Sequence, residues 1–464
     1  MDSQLPLPPG KMGLPFIGET ISFIRDPHFA RKRQAQYGSL FKTNILGRPT
    51  AVFCGPEANE FLLSSQADSF SWRGGWPGTF KELLGESLFL QEGEEHRRNR
   101  RLLMPAFHGK ALEGYFEVMV AIAQTYLRKW EQQRHLTWFL ELKKFTFEVA
   151  SVLLLGMAPG EQIDELSGWF TDLTNGLFTL PVRWGAMPYG RALRGRDRLL
   201  QYLEDVIEER RAILESPGAA QLPTDVLTLL LQTEDEEGNR LSQEEIKVQS
   251  LLMLFAGHET TTSMLTSMAM TLAQHPQILA KARAEQLELL KSQVKPQDGS
   301  LSAVPTLAQM QQMPYLDRII KETERMFPPV GGGFREVIKP VEFNGYQVPA
   351  GWLALYRIEA AHLDERCYSQ PQMFDPDRFS PERAEQKRYD YSLVAFGGGP
   401  RICLGMAFAK LEMKIMMALL LRQYEWAIAD DQDLTMNPVP TLRPTDGLKV
   451  TFKRLEESRA VTSA

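Results

Sequence analysis

Cysteine is scarce in this chain: three residues, Cys54, Cys367 and Cys403, in 464. An odd and sparse count excludes a disulfide framework and favours a reducing compartment. No Cys-x-x-Cys pair occurs, which argues against a structural zinc site. Long apolar runs are also lacking. No stretch of about 18 apolar residues is present, so no spanning helix is expected. The start, "MDSQLPLPPGKMGLPFIGET", has neither a charged n-region nor an apolar h-region, so it does not read as a signal peptide. Excess positive charge is missing too. The formal net charge is -6, which gives no global reason to expect a nucleic-acid partner. Internal repeats are not found. These absences point to a cytoplasmic protein with no transmembrane segment. A hydrophobic content of 43% suffices for a sizeable core.

What is present is mostly helical by period. "SLFKTNILGRPTAVFCG" reads as a small hairpin sheet, and "VEFNGYQVPAG" alternates around Asn344-Gly345, a type I′ turn signal. Between them lie amphipathic stretches such as "EVMVAIAQTYLRKWEQQ" and the basic helix "GEEHRRNRRLLMPAF". The fold expected is mainly α with a minor β portion (α+β). No clear linker separates two cores, so one domain over 1–464 is expected. Residues 1–20 form a proline-rich leader and 456–464 a frayed tail.

The clearest helix is "LSQEEIKVQSLLMLFAGHETTTSMLTSMAMTLAQHP". Ser242 and Glu245 make a capping box, and Pro276 ends it. It is apolar on nearly every side and should run through the core. Its centre breaks the pattern. Gly257 weakens the helix, Glu259 places a carboxylate among apolar turns, and Thr260 to Thr262 bring hydroxyls that bond backward. These residues suggest a kinked groove with a protonatable chain, or else a satisfied polar cluster in a core. His258-Glu259 does not open a zinc-protease motif, because position 262 is Thr. Further on, Glu322 and Arg325 share a helix face three residues apart, which taken alone suits a surface ion pair.

"FGGGPRICLG", Phe396 to Gly405, raises the sharpest question. It lacks the lysine of a phosphate loop and the βαβ setting of a dinucleotide fingerprint. A buried structural cysteine is one reading. The other is a thiolate. The glycines permit a turn with inward N–H groups, the following helix offers a positive dipole end, and Arg401 adds a cation; all three lower a thiol pKa. A stabilised thiolate without a general base beside it suits a metal ligand better than a nucleophile, and ligation of haem iron is one such solution.

Phe396-Gly397-x-Gly399-x-Arg401-x-Cys403-x-Gly405 resembles the haem-binding signature of the cytochrome P-450 family. Ala256-Gly257-His258-Glu259-Thr260-Thr261 resembles its oxygen-activation helix, and Glu322-x-x-Arg325 its helix-K motif. Phe374 to Phe379 resembles its meander motif, with Asp377 where Glu is more usual. The motifs follow the family's order, and the resemblance runs from about Pro9 to Leu455. It implies the cytochrome P-450 fold, with a long central helix over the haem and small N-terminal and C-terminal sheets. It further implies haem b with Cys403 as axial thiolate, and Phe396 and Gly397 in the haem-binding loop. Arg401, His96, Arg100 and Arg335 become propionate partners, His96 standing where the family usually has Trp. Glu322, Arg325 and Arg378 would form a structural triad. Thr260 and Glu259 would serve oxygen activation and proton delivery, with room for O2 near Gly257. The implied reaction is monooxygenation, with O2 as co-substrate and electrons from a ferredoxin or flavodoxin and its reductase. Arg97, Arg98, Arg101, Lys410 and Lys414 offer a basic docking face.

"PPVGGGFRE", "FAGHET", "GLFTLP" and Trp76-Pro77 look most like the cyanobacterial and animal retinoic-acid-hydroxylating branch. That branch implies retinoic acid or a related apocarotenoid as substrate, against Trp76, Phe178, Phe255, Ala256, Gly331 and Gly332. A fatty-acid or sterol-like substrate is the alternative. Beyond monooxygenation stand a non-catalytic haem sensor and a haem-thiolate isomerase, both disfavoured by Thr260.

Overall fold

The computed structural model describes residues 5–26, 28–157, 161–216, 224–291 and 304–455. Residues 217–223 and 292–303, and 456–464 where a frayed tail is expected, lie outside the described residues. The chain divides into two compact units. The first takes residues up to Gly78, Lys321–Cys403 and Pro438–Leu442; the second takes the rest.

The first unit is built on a five-stranded sheet. Its strand order is Leu40–Ile45, Arg48–Cys54, Leu353–Arg357, Gly332–Val337, Phe70–Ser71. Only the pairing of Arg48–Cys54 with Leu353–Arg357 is parallel. Ala51-Val52-Phe53-Cys54 is a continuous apolar run because both faces of this sheet are covered. Ala51 and Phe53 join one buried cluster with Ala354 and Tyr356. Val52 and Cys54 join another with Phe29, Phe41 and Leu355 on the opposite face. The register sets Arg335 opposite Ala354 and Gly333 opposite Tyr356. Beside the sheet, Asn344 and Gly345 take φ of 51° and 79°, joining Val341–Phe343 to Tyr346–Val348 as a type I′ turn demands. The leader is anchored here: the Pro9 carbonyl accepts from the Lys42 N–H at 2.7 Å.

The second unit is helical. Its long helix, Gln243–Gln274, opens on the Ser242 capping box and runs unbroken to His275. The helix assignment continues through the polar centre, where the neighbouring helix supplies partners for the polar groups. Trp138–Leu155 packs along it, and the Thr146 and Thr262 hydroxyls meet at 2.7 Å between the two. A three-stranded sheet, His135–Thr137, Lys449–Arg454 and Tyr424–Ile428, closes one end. Trp138, Trp426 and Phe452 cross there edge to face, at 5.4 and 5.9 Å from the Trp138 ring. The Trp426 indole N–H donates to the Ala269 carbonyl at 2.9 Å, tying that sheet to the long helix. The architecture is the expected mainly α fold with small sheets. Among the described residues no helix is long and apolar enough to cross a membrane.

Candidate functional site

Of the three cysteines, Cys54 and Cys367 are buried, and burial pushes both thiols up to about 12. Cys403 is exposed. Its loop is held by its own backbone. The Cys403 N–H donates to the Phe396 carbonyl at 2.8 Å, and the Gly397 N–H to the Val394 carbonyl at 2.9 Å. Gly399 sits at φ 59° with an ideal Cβ position 1.9 Å from the Leu63 carbonyl oxygen, so no other residue fits there. Gly397 and Gly405 differ: the nearest atom to a Cβ at Gly397 is 3.7 Å away, and Gly405 has nothing within 4 Å. The loop is therefore tightest at Gly399.

Two guanidinium groups gather on one indole in this unit. Arg335 lies 3.4 Å from the Trp72 ring centroid and Arg401 5.1 Å. Trp72 is a residue the motifs do not flag, since no spacing links it to either arginine. Two guanidinium groups at one aromatic ring concentrate positive charge suited to an anionic group. Trp76 follows in the same segment, its ring 6.3 Å from Trp72. Gly331 and Gly332 lead into the strand that carries Arg335, where a Cβ on Gly332 would fall 2.0 Å from the Tyr356 carbonyl oxygen. In the second unit, His96 is buried and Arg100 half-buried, one turn apart on Gly93–Leu103.

Glu322, Arg325 and Arg378 are brought together, and none is on the surface. Glu322 accepts from Arg325 Nε at 2.7 Å and Nη2 at 2.8 Å, and from Arg378 Nε at 3.0 Å. A fourth member, Glu385, takes Arg378 Nη1 at 2.8 Å. Burial pushes the Glu385 carboxyl up, but bonds from Ser369, Arg383 and Arg378 outweigh it and hold the group at about 2. Arg325 Nη1 donates onward to the carbonyls of His362 and Pro371. Glu385 and His362 lie outside the motifs, and their part rests on tertiary packing. A buried, fully paired network of this kind orders the segments it joins.

On the long helix, Phe255, Ala256, Gly257 and Thr260 interrupt an otherwise buried surface. Ala256 is exposed although it stands in mid-helix. Gly257 does not open that face. A Cβ there would come 3.1 Å from Leu154 Cδ1, so the glycine serves close approach of the neighbouring helix. The Thr260 hydroxyl donates to the Ala256 carbonyl at 2.9 Å. Glu259 points elsewhere: Lys143 Nζ sits 2.6 Å from Oε1, and His258 Nε2 3.7 Å. Burial pushes this carboxyl up, yet His258, Lys143 and Arg443 outweigh it and hold it below its ordinary value. Lys143, which no motif marks, also lines a surface cleft of about 620 Å³ with Gln133, Glu141, Ser167 and Thr171. His258 stands edge-on between Phe147 and Phe170, lowered to about 4 by burial. Phe178 packs on Phe80 at 5.1 Å but is 60% exposed.

The basic docking face is smaller than its residues suggest. Arg97 pairs with Glu94, Arg98 with Asp235 and Glu245, and Lys414 with Asp317 at 2.7 Å. Their charge is largely spent within the protein.

The features of the first unit fit a haem: an exposed cysteine stands on a glycine loop, and two cations share an aromatic ring. Comparison with known proteins agrees. The cytochrome P450 family profile matches residues 8–452. The chain is 38% identical to cytochrome P450 120 of Synechocystis, covering 98% of each protein. It is 34% identical to human cytochrome P450 26B1, over 98% of this chain and 88% of that protein. Among solved structures it resembles retinoic acid bound cyanobacterial CYP120A1, with a TM-score of 0.87 and 38% identity over 97% of this chain and 100% of that one. The cytochrome P450DA haem domain gives 0.84 at 25% identity, over 97% and 98%. The chain belongs to the cytochrome P450 family, monooxygenases that carry haem on a cysteine thiolate and use O2.

Proposed function

We propose that this monooxygenase hydroxylates retinoic acid or a related apocarotenoid, an elongated apolar carboxylate. The observation that carries this reading is the match along nearly the whole chain to a structure described as having retinoic acid bound. Overall, RH, O2, two electrons and two protons give ROH and water.

Cys403 would hold the haem iron through its thiolate; it is exposed where Cys54 and Cys367 are buried. Arg335 and Arg401, stacked on Trp72, would pair with propionates, as would His96 and Arg100. Phe396 and Gly397 would border the haem as part of the Cys403 loop. The bound haem supplies the oxidising chemistry at its iron, and the protein's own groups handle protons and orientation. The Thr260 hydroxyl is the polar group of the uncovered helix face, suited to orient a water there. Glu259 would relay protons from solvent, with Lys143 as its contact with the cleft outside. Trp76, Phe178, Phe255, Ala256, Gly331 and Gly332 are the proposed substrate contacts, apolar or without side chains, as a flat hydrocarbon requires. Electrons would come from a ferredoxin or flavodoxin with its reductase, in the cytoplasm.

The test is titration of the purified holoprotein with all-trans retinoic acid, read as a spin-state shift in the Soret band, then mass spectrometry of the reconstituted reaction. A saturable shift and a product one oxygen heavier support the reading. A shift with palmitate or a sterol but not with retinoic acid would overturn it in favour of a different lipid.

A further inference from the structure

The Glu-x-x-Arg helix and the Cys403 loop are joined through one buried histidine. His362 closes the short helix Ile358–His362 and is fully buried. Its Nδ1 lies 2.9 Å from the Arg325 carbonyl oxygen, and its Nε2 accepts from the Val394 N–H at 2.9 Å. The two partners fix the ring's state. A carbonyl accepts, so Nδ1 carries the proton; an amide N–H donates, so Nε2 carries a lone pair. From Val394 the connection continues by backbone bonds already described. Its carbonyl receives the Gly397 N–H, and the Phe396 carbonyl receives the Cys403 N–H. At the other end, Arg325 Nη1 returns to the carbonyl of His362 itself at 2.8 Å. Arg325 and His362 thus exchange two bonds, and the other end of the imidazole holds the segment that leads into the cysteine loop.

We propose that His362 is a positioning residue for Cys403, acting through the Val394 amide, and that it keeps the loop in the geometry in which the thiolate holds iron. The inference rests on Cys403 being the haem ligand. Any buried polar group contributes to stability, but this one has a directional job that only its Nε2 arm performs. Groups that orient a ligand from behind commonly alter metal affinity or activity by about 10–100-fold when removed.

Two substitutions separate the arms. In His362→Gln the amide oxygen reaches about as far as Nε2 and accepts from Val394. In His362→Asn the amide reaches only as far as Nδ1, keeping the bond to Arg325 and losing Val394. Both remove an imidazole from the same buried site. The readout is the reduced, carbon-monoxide-bound spectrum of each holoprotein followed over time. We expect His362→Gln to hold the red-shifted band like the wild type, and His362→Asn to lose it about 10-fold faster. Equal loss in both, or full retention in His362→Asn, overturns the proposal. If neither variant yields folded protein, amide hydrogen exchange of the wild type decides: a protected Val394 N–H supports the bond, and solvent-fast exchange overturns it. A wild type without the red-shifted band would remove the thiolate assignment itself, whatever the variants do, and this inference with it.

Discussion

At the scale of single residues, charge pairing decides what Glu259 does. A buried carboxylate survives ionised only beside a cation. Lys143 supplies the nearest, at 2.6 Å. Because this carboxyl titrates below its ordinary value, its ionisation stabilises the fold above the ordinary carboxylate range, and that contribution is lost as pH falls. Lys143→Met removes the main partner and lets burial dominate. The expected cost is about 1–3 kcal/mol at neutral pH, with stability now declining as pH rises through the carboxylate range. Denaturant midpoints across about pH 4–8 check both the size and the reversed slope. Thr260 tests a different property. Thr260→Ala leaves the haem band unchanged and lowers product formed per electron consumed, since its hydroxyl is the proposed orienting group of the open helix face. Unchanged coupling would remove the role.

At the scale of elements, the helix after the cysteine loop carries a group that none of the motifs uses. Glu412 lies in Met406–Gln423, fully buried, and its Oε1 has no hydrogen-bond partner. Burial alone pushes its carboxyl well above the ordinary range. The folded protein therefore holds this proton to a higher pH than the unfolded chain does, so stability falls as pH rises above the unfolded value. Glu412→Gln, neutral and of the same shape, is expected to be as stable as the wild type or more so at neutral pH, and flatter toward alkali. Urea unfolding at neutral and alkaline pH measures this; a variant that loses stability at neutral pH contradicts it. The element scale also shows what was legible. The capping box at Ser242, the Asn344-Gly345 hairpin and the span of the long helix follow from local chemistry and reappear as read. What its centre packs against does not. Thr146, Leu154 and Lys143 on the helix Trp138–Leu155 accommodate the polar and small residues of its centre, and no local pattern announces a partner more than a hundred positions away.

At the scale of the whole molecule, the same boundary holds for the site. The pairing of Glu322 with Arg325 is legible from their spacing, while its burial with Arg378 and Glu385 is not. Trp72, His362 and Lys143 carry no local signal, since each meets its partners across tens to hundreds of positions through packing. The docking surface for an electron donor belongs to this scale too. With Arg97, Arg98 and Lys414 paired internally, steering by bulk charge is weak in a chain of net charge -6. The rate of reduction by an acidic ferredoxin is therefore expected to stay level or rise slightly as ionic strength rises from about 0.05 to 0.2 M; a steep fall would show a basic face that these pairs do not neutralise.

The proposed site depends on one bond, which Cys403 would make to the haem iron. The reduced, carbon-monoxide-bound spectrum of the purified protein tests it, read beside Cys54→Ser, Cys367→Ser and Cys403→Ser. The account predicts a strongly red-shifted Soret band in the wild type and in the first two variants, and its loss in the third alone. A band that survives Cys403→Ser, or a wild type that shows only an imidazole-like band, would contradict it.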